Sequence, residues 1–387
     1  MKKIAVFLVL VLLGVGAAAG LFVQRSRAPY RGYTSAEQFV EIPSGSSTSA
    51  IGARLVAAGV VRDALTYRAV LWMSGQARHL KAGEYRFDQP VTPAQVIDKI
   101  ARGDVYTIAL TFPEGLTIAE MAAIAEAHGF GSAAMFVDAA KDVSLIRTLD
   151  PAATDLEGYL FPETYSLSRH TDASTIVRLM VGRFLHVFGP DLRAAAEARG
   201  LSVRQAVTLA SIVEKETARS DERPLIAAVY ATRLRIGMPL QCDPTVIYAL
   251  QSAGHYDGNI HKADLAFDSP YNTYRYPGLP PGPIAAPGKG SLEAALHPAD
   301  ADFLYFVSRN DGSHAFARTL EEHNRNVQKY QVQYFRYLRA GGAGGAGKAG
   351  GAGAAGRAGG AGRAGGTGRA GGLDDGARKK HAGRSGR

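Results

Sequence analysis

The chain opens with an unbroken apolar run. Residues 4–23, IAVFLVLVLLGVGAAAGLFV, carry no charged side chain. Twenty residues of α-helix rise about 30 Å, the thickness of a bilayer's hydrocarbon core. The small residues Ala17, Ala18 and Ala19 would suit signal processing, but the run continues through 20–23 without a polar region, so an uncleaved anchor is expected. Lys2 and Lys3 favour a cytoplasmic N-terminus, an asymmetry that Arg25, Arg27 and Arg31 weaken. The bulk of the chain would then lie beyond the cytoplasmic membrane.

After a polar linker the pattern shortens. VEIPSGSSTSAIGARLVAAGV (40–60) matches LTFPEGLTIAEMAAIAEAHGF (110–130), with Pro43, Gly45 and Gly59 falling on Pro113, Gly115 and Gly129. Each copy predicts a short strand, a Pro-x-Gly turn, a helix begun by Ser or Thr, and a stop at glycine. Between them the spacing predicts a helix over 64–74, a strand within 80–87 and a helix in TPAQVIDKIARG. Two copies at this distance are too few for a solenoid, and small α+β modules that grip an extended ligand or a partner are expected.

From about 116 to 338 the pattern is mainly helical. Ser202 and Gln205 form a capping box, and Ala206, Leu209, Ala210 and Val213 follow at helical spacing, which predicts a short amphipathic helix. Asp221 and Pro224 open another helix that closes near Gly237. YNTYRYPGLPPGPIAAPGKG (271–290) reads as an irregular loop over a surface, FLYFVSR (303–309) as a strand, and 320–338 as a final helix.

Composition changes the picture in two places. The net charge is +9, but residues 340–387 hold nine Lys/Arg against two Asp, so the rest of the chain carries only +2 and a globally basic reading would mislead. That Gly/Ala-rich tail lacks large apolar clusters and is expected to be disordered. Cys242 is the single cysteine, which excludes an intramolecular disulfide.

Motif chemistry is mostly negative. There is no HExxH, no clustered Cys/His spacing and no GxSxG elbow, and GPIAAPGKG departs from a phosphate loop in both spacing and final residue. His314 and His323 read as structural or substrate-facing. What remains is the pair in LASIVEKETARSDERP. The helical wheel places Lys215 opposite the apolar face with Glu214 and Glu216 on its two flanks, and does not choose between them. Glu216 falls in the last turn, where the helix dipole and partial burial would both favour the protonated acid that a general acid needs. A capping or salt-bridged glutamate stays open on these grounds.

EGYLFPETYSL (157–167), ASIVEKET (210–217), RLRIGMPLQCDPTVIYAL (233–250), SPYNTYRYPGLPPGPIAAPG (269–288) and GSHAFARTLEEHN (312–324) together resemble the endolytic murein transglycosylase (YceG-like) family. The resemblance spans nearly the whole chain and leaves out the tail. It implies an α+β protein with residues 1–3 cytoplasmic, a transmembrane helix over 4–23, a linker over 24–37, a small LysM-like α+β module over 38–108, a mainly helical lysozyme-like catalytic domain over 109–338, and the tail over 339–387. It further implies a single-pass protein of the inner membrane with a periplasmic catalytic domain.

In the family motif the essential acid is the second glutamate of EKET, here Glu216, with Glu214 as second choice and Thr217 in the place of a serine in related lytic enzymes. One carboxyl suffices for the implied reaction. Glu216 would protonate the oxygen linking N-acetylmuramic acid to N-acetylglucosamine, then take the proton of the muramyl C6 hydroxyl as a 1,6-anhydro ring closes. No metal and no cofactor is implied. Glu163, Tyr165, Gln241, Asp243, Tyr248, Tyr271, Asn272 and Tyr274, all within matched motifs, are candidates to bind the sugars, although Asp243 would also serve as a helix cap before Pro244. Cys242 is assigned no role. The implied partners are peptidoglycan glycan strands and the inner membrane, with peptidoglycan synthases a further candidate and no nucleic acid. Two other readings compete. One is a non-catalytic wall-binding scaffold that recruits the synthases. The other is a hydrolase using Glu216 and Asp243 as an inverting pair.

Overall fold

A computed structural model describes residues 2–337, and the tail expected to be disordered lies outside the described residues. The chain is mixed α+β, with small two-stranded sheets among thirteen α-helices in the described residues. It forms two compact units.

The first unit comprises Met1–Pro113, Met121–Ala139 and Glu163–Val177. Its first helix, α1 (Lys2–Arg27), carries the apolar run and exposes it on every side. Strand β1 (Gln38–Ile42) follows with period-two burial, Val40 and Ile42 inward and Glu41 outward. It pairs antiparallel with β2 (Gly83–Phe87), Val40 opposite Tyr85. Helices α2 (Thr48–Ala57), α3 (Ala64–Ser74) and α4 (Pro93–Arg102) complete a core that includes Leu55, Tyr67, Tyr85, Val96 and Ile100. For α4, Thr92 and Gln95 form a reciprocal capping box, Pro93 supplies a preset first turn, and Gly103 closes the helix at a left-handed φ of 74°.

The internal repeat is visible in the backbone. Strand β3 (Ile108–Thr111) and helix α5 (Ile118–Ala127) repeat the order of β1 and α2, and Gly45 and Gly115 turn the chain at φ values of 77° and 78°. Gly59 and Gly129 follow the helices at 69° and 82°. A side chain would be strained at any of these four angles, so the glycines are required by the turns themselves. Helix α6 (Ala133–Ala139) follows, then β4 (Thr164–Leu167), which pairs antiparallel with β3. This pairing draws 163–177 into the first unit, so compactness does not follow the expected boundary between 108 and 109.

The second unit holds Glu114–Glu120, Ala140–Pro162 and the described chain from Arg178 onward. Helix α7 (Ala173–Val187) leads into it, followed by α8 (Pro190–Ala198), α9 (Val203–Glu216), α10 (Arg223–Arg235), α11 (Asp243–Ser252) and α12 (Lys289–Leu296). A hairpin of β5 (Tyr305–Ser308) and β6 (His314–Ala317) precedes α13 (Leu320–Val327). The final helix expected over 320–338 changes character in its middle, with a π-helical turn at Gln328–Gln333.

Two expectations are corrected at the centre of this unit. Helix α9 is not amphipathic over its middle: every residue from 206 to 213 is buried. It packs against α8, α10, α11 and α12. Small Ala206, Ala210 and Ser211 let neighbours approach on faces that look weakly apolar in sequence, and each fully buried Leu or Ile contributes about 1.5–3 kcal/mol. The loop over 271–290 is not confined to a surface either: Ile284, Ala285 and Ala286 are buried. Its backbone is satisfied from elsewhere in the unit. The Ile284 amide donates to the Ser211 hydroxyl at 3.1 Å, Gly115 donates to the Ala286 carbonyl at 2.8 Å, and Ala286 donates to the Leu116 carbonyl at 2.8 Å.

The N-terminus of α9 tests how far local signals set this core. Ser202 accepts from the Gln205 amide at 3.2 Å and the Gln205 side chain accepts from the Ser202 amide at 2.9 Å. Replacing Ser202 with Ala is expected to lower unfolding free energy by about 1 kcal/mol in a denaturant titration, with the slope unchanged.

Candidate active site

Glu216 is the last residue of α9. At Thr217 the chain leaves the helix in an extended conformation, φ −144° and ψ 135°. The Thr217 hydroxyl accepts from the Arg219 amide at 3.0 Å, so it holds the turn that follows. The Glu216 side chain meets α10, where the Tyr230 hydroxyl donates to its Oε1 at 2.5 Å. Tyr230 is fully buried, and its ring stands edge-on to Phe306 with centroids 5.9 Å apart. The buried Cys242 thiol also hydrogen-bonds the carboxyl.

Burial pushes the Glu216 carboxyl above its ordinary value. The hydrogen bonds from Tyr230 and Cys242 oppose that shift, the nearby Asp243 charge adds to it, and His314 opposes it weakly. Among the described residues, no Lys, Arg or His forms an ion pair with Glu216. The same enclosure raises the Tyr230 and Cys242 pKa values, burial again leading.

Glu214 lies in a different setting. Arg223 donates to its Oε1 at 3.0 Å, and the Gly288 amide donates to its Oε2 at 3.0 Å. Burial raises its pKa, while the Gly288 amide and Arg223 pull it down. Arg223 also reaches Glu114 at 3.0 Å. Glu214 therefore ties α9 to the 284–288 segment and to the start of α12, with each of its oxygens engaged. Lys215 is exposed, as the wheel requires, and its amine donates to the Gly115 carbonyl at 3.0 Å.

The remaining candidates in the second unit fall into different settings. Asp243 begins α11 but does not cap it. The N-cap is Cys242, and the Asp243 carboxylate accepts from the Tyr274 hydroxyl at 2.5 Å. Burial raises the Asp243 and Tyr274 pKa values. Gln241, exposed just before them, sits at a left-handed φ of 51°, a conformation that a non-glycine residue rarely keeps outside a constrained site. The rings of Tyr248 and Tyr271 pack 4.9 Å apart at 50°, both partly exposed.

Asn272 is corrected as a sugar contact. It is fully buried, its amide donates to the Leu265 and Phe267 carbonyls at 3.1 and 2.8 Å, and its oxygen accepts from the Tyr274 amide at 3.0 Å. It shapes the loop that carries Tyr271 and Tyr274. Glu163 and Tyr165 belong to the first unit. There the Glu163 carbonyl accepts from the Phe112 amide at 3.0 Å, and Tyr165 lies opposite Leu110 in the β3–β4 pair with its ring 6.1 Å from that of Phe112.

Sequence reasoning missed Tyr230 and Cys242 as partners of the acid, and it missed Glu222. The Glu222 carboxylate takes both the His314 amide, at 2.9 Å, and its Nδ1, at 2.6 Å. It also missed Glu157, the first residue of a quoted motif. Both Glu157 oxygens accept from the Ile118 amide at 3.2 Å, at the start of α5. A cavity of about 1080 Å³ lined by residues such as Leu225, Thr232, Asp302 and Phe303 includes none of the candidates. Among the described residues no group of three or more His, Cys, Asp or Glu side chains could hold a metal.

Burial pushes Glu157 from the ordinary 4.5 up to about 8. A carboxyl raised by folding supports stability below its unfolded pKa, and that support is lost as pH rises through the folded value. Wild-type stability is therefore expected to fall between about pH 4.5 and pH 8, a decline that Glu157→Gln should flatten in thermal melts across that window.

The sequence profile of the YceG-like family matches residues 40–329. The endolytic murein transglycosylase of Bacillus subtilis (strain 168) is 34% identical over 307 residues, covering 75% of this chain and 84% of the relative. The protein of the same name from Streptococcus pneumoniae serotype 2 (strain D39) is 30% identical over 357 residues, covering 83% of this chain but only 64% of the longer relative. In three dimensions, the crystal structure of a yceG-like protein from Listeria monocytogenes superposes with a TM-score of 0.52 at 33% identity, covering 76% of this chain and 99% of the other. A profile match over most of the chain, together with relatives above 30% identity, leaves one assignment: the chain belongs to the YceG-like family.

Proposed function

We propose that this chain is an endolytic murein transglycosylase that cleaves the β-1,4 bond between N-acetylmuramic acid and N-acetylglucosamine within glycan strands, with Glu216 as its acid and base. The observation that carries the reading is the setting of Glu216. It is a carboxyl at the end of a buried helix, hydrogen-bonded by Tyr230 and Cys242 and paired with no cation among the described residues. Two relatives bearing that activity in their names support it.

The chemistry needs a carboxyl that starts protonated. Burial at the end of α9 favours that form, and the helix's negative end adds to it. Glu216 gives its proton to the glycosidic oxygen as the bond to the muramyl C1 breaks. The resulting carboxylate then accepts the proton of the C6 hydroxyl as that oxygen bonds to C1. Atoms balance without water, and the carboxyl ends as it began. Gln241, Tyr248, Tyr271 and Tyr274 are proposed to contact the sugars, with Asp243 beside the acid as a fixed negative charge facing the developing positive charge at C1.

The anchor and the module complete the proposal. Helix α1 is long and apolar enough to cross a membrane. We assign it to the inner membrane with the catalytic part in the periplasm. The α+β module over 38–108 is proposed to be LysM-like and to keep the enzyme on glycan strands, with peptidoglycan synthases as further partners. Asp243 near Glu216 gives inverting hydrolysis a physical basis as the second reading.

Two measurements test the assignment. Incubated with peptidoglycan, the wild type should produce 1,6-anhydromuramyl ends detectable by mass spectrometry. Glu216→Gln should slow their formation by about 10²–10⁴-fold, and full activity in that variant would refute the role. Tyr230→Phe removes a hydrogen bond that favours the carboxylate, so the Glu216 pKa rises further. The alkaline limb of its pH–rate profile should therefore move to higher pH, and a limb that stays or moves down would separate Tyr230 from the acid.

A further inference from the structure

Helix α3 buries one stripe and leaves another uncovered. Thr66, Tyr67 and Leu71 face the module core. On the outer side, Leu65, Trp72 and Met73 are 78%, 83% and 67% exposed, and with Ala69 they follow the i, i+4, i+7, i+8 spacing of a single face. Large apolar groups this exposed and this regularly spaced mark a surface that meets an apolar medium. Trp72 is also the only tryptophan in the chain.

The position of this face identifies the medium. Helix α1 packs against α3 and α4. Arg25, in the last turn of α1, pairs at 3.8 Å with Asp63, the residue that caps α3 by accepting from the Thr66 amide at 2.8 Å. Asp63, two residues before Leu65, thus meets the last turn of α1. In the sequence that flanks and continues α3, Arg62, Arg68, Arg78, His79 and Lys81 are all exposed, which suits anionic head groups. A sugar-binding face would alternate aromatic rings with polar donors, whereas here a leucine and a methionine flank the ring. Tryptophan favours the headgroup level of a bilayer, with its ring in the apolar boundary and its N–H toward water.

We propose that the Leu65–Trp72–Met73 face of α3 lies in the headgroup–acyl boundary of the membrane that α1 crosses, so that the module rests on an anionic phospholipid surface. The proposal rests on α1 being a membrane anchor. It gives the module a fixed seat on the bilayer instead of free rotation about a tether.

The single tryptophan supplies the test. The full chain is reconstituted into phosphatidylethanolamine–phosphatidylglycerol vesicles whose acyl chains carry bromine near the head group, and anchoring by α1 is scored separately by resistance to carbonate extraction. Trp72 emission should be quenched by the brominated lipid and shielded from aqueous acrylamide. Leu65→Gln with Met73→Gln, which leaves Trp72 in place, should weaken the bromolipid quenching by about twofold or more while extraction resistance is unchanged. Three results would overturn the proposal. A carbonate-resistant chain whose Trp72 is quenched by acrylamide and not by bromolipid leaves the face in water. Shielding from both quenchers assigns the face to a second copy or to glycan. Release by carbonate removes the anchor, and the proposal with it.

Discussion

A carboxyl at the end of a helix buried on all sides is costly to ionise, and much of the second unit is organised around that cost. Helix α9 runs through the unit's core and delivers Glu216 to its edge, where Tyr230 from α10 and Cys242 at the start of α11 enclose it. The enclosure raises the pKa of the acid without removing its partners. When the proton leaves, the same hydroxyl and thiol remain as donors to the carboxylate. A group that gives a proton and then takes one needs an environment tolerant of both states, which two neutral donors provide and a guanidinium would not.

Glu214 shows the contrast two residues away. Arg223 and the Gly288 amide hold it, and through it α9 is joined to the buried 284–288 segment and to the start of α12. One glutamate is held by an arginine and a backbone amide, the other by neutral donors. The division follows from geometry: adjacent flanks of α9 meet different neighbours, a backbone segment and an arginine on one side, a tyrosine and a cysteine on the other. The same economy governs the loop over 269–276, where the buried Asn272 spends its side chain on the backbone so that Tyr271 and Tyr274 can be presented.

Local signals in the sequence were good guides to local structure. The Ser202–Gln205 capping box, the helix over 64–74 and the paired glycines of the internal repeat all rest on interactions within a few residues, and each is found where expected. Long-range features were not legible. Burial of α9 on every face depends on small residues accepting four neighbouring helices, and alanine and serine carry no mark of that in sequence. The path of 284–288 through the interior depends on amide and carbonyl partners at 115, 116 and 211. Tyr230 looks like one more apolar residue of α10 until its hydroxyl is seen to meet an acid on the preceding helix. Periodicity alone left Glu214 and Glu216 equal; their partners separate them.

The central claim is that Glu216 acts alone and that no water enters the reaction. Cleavage of purified peptidoglycan in water enriched in oxygen-18 tests this directly, with the new muramyl ends analysed by mass spectrometry. If the account is right, every new end is a 1,6-anhydro sugar, lighter by one water than a reducing end and free of label. New reducing ends carrying one oxygen-18 would contradict it and would show that a water molecule, activated by a second carboxylate such as Asp243, had done the work assigned to the C6 hydroxyl.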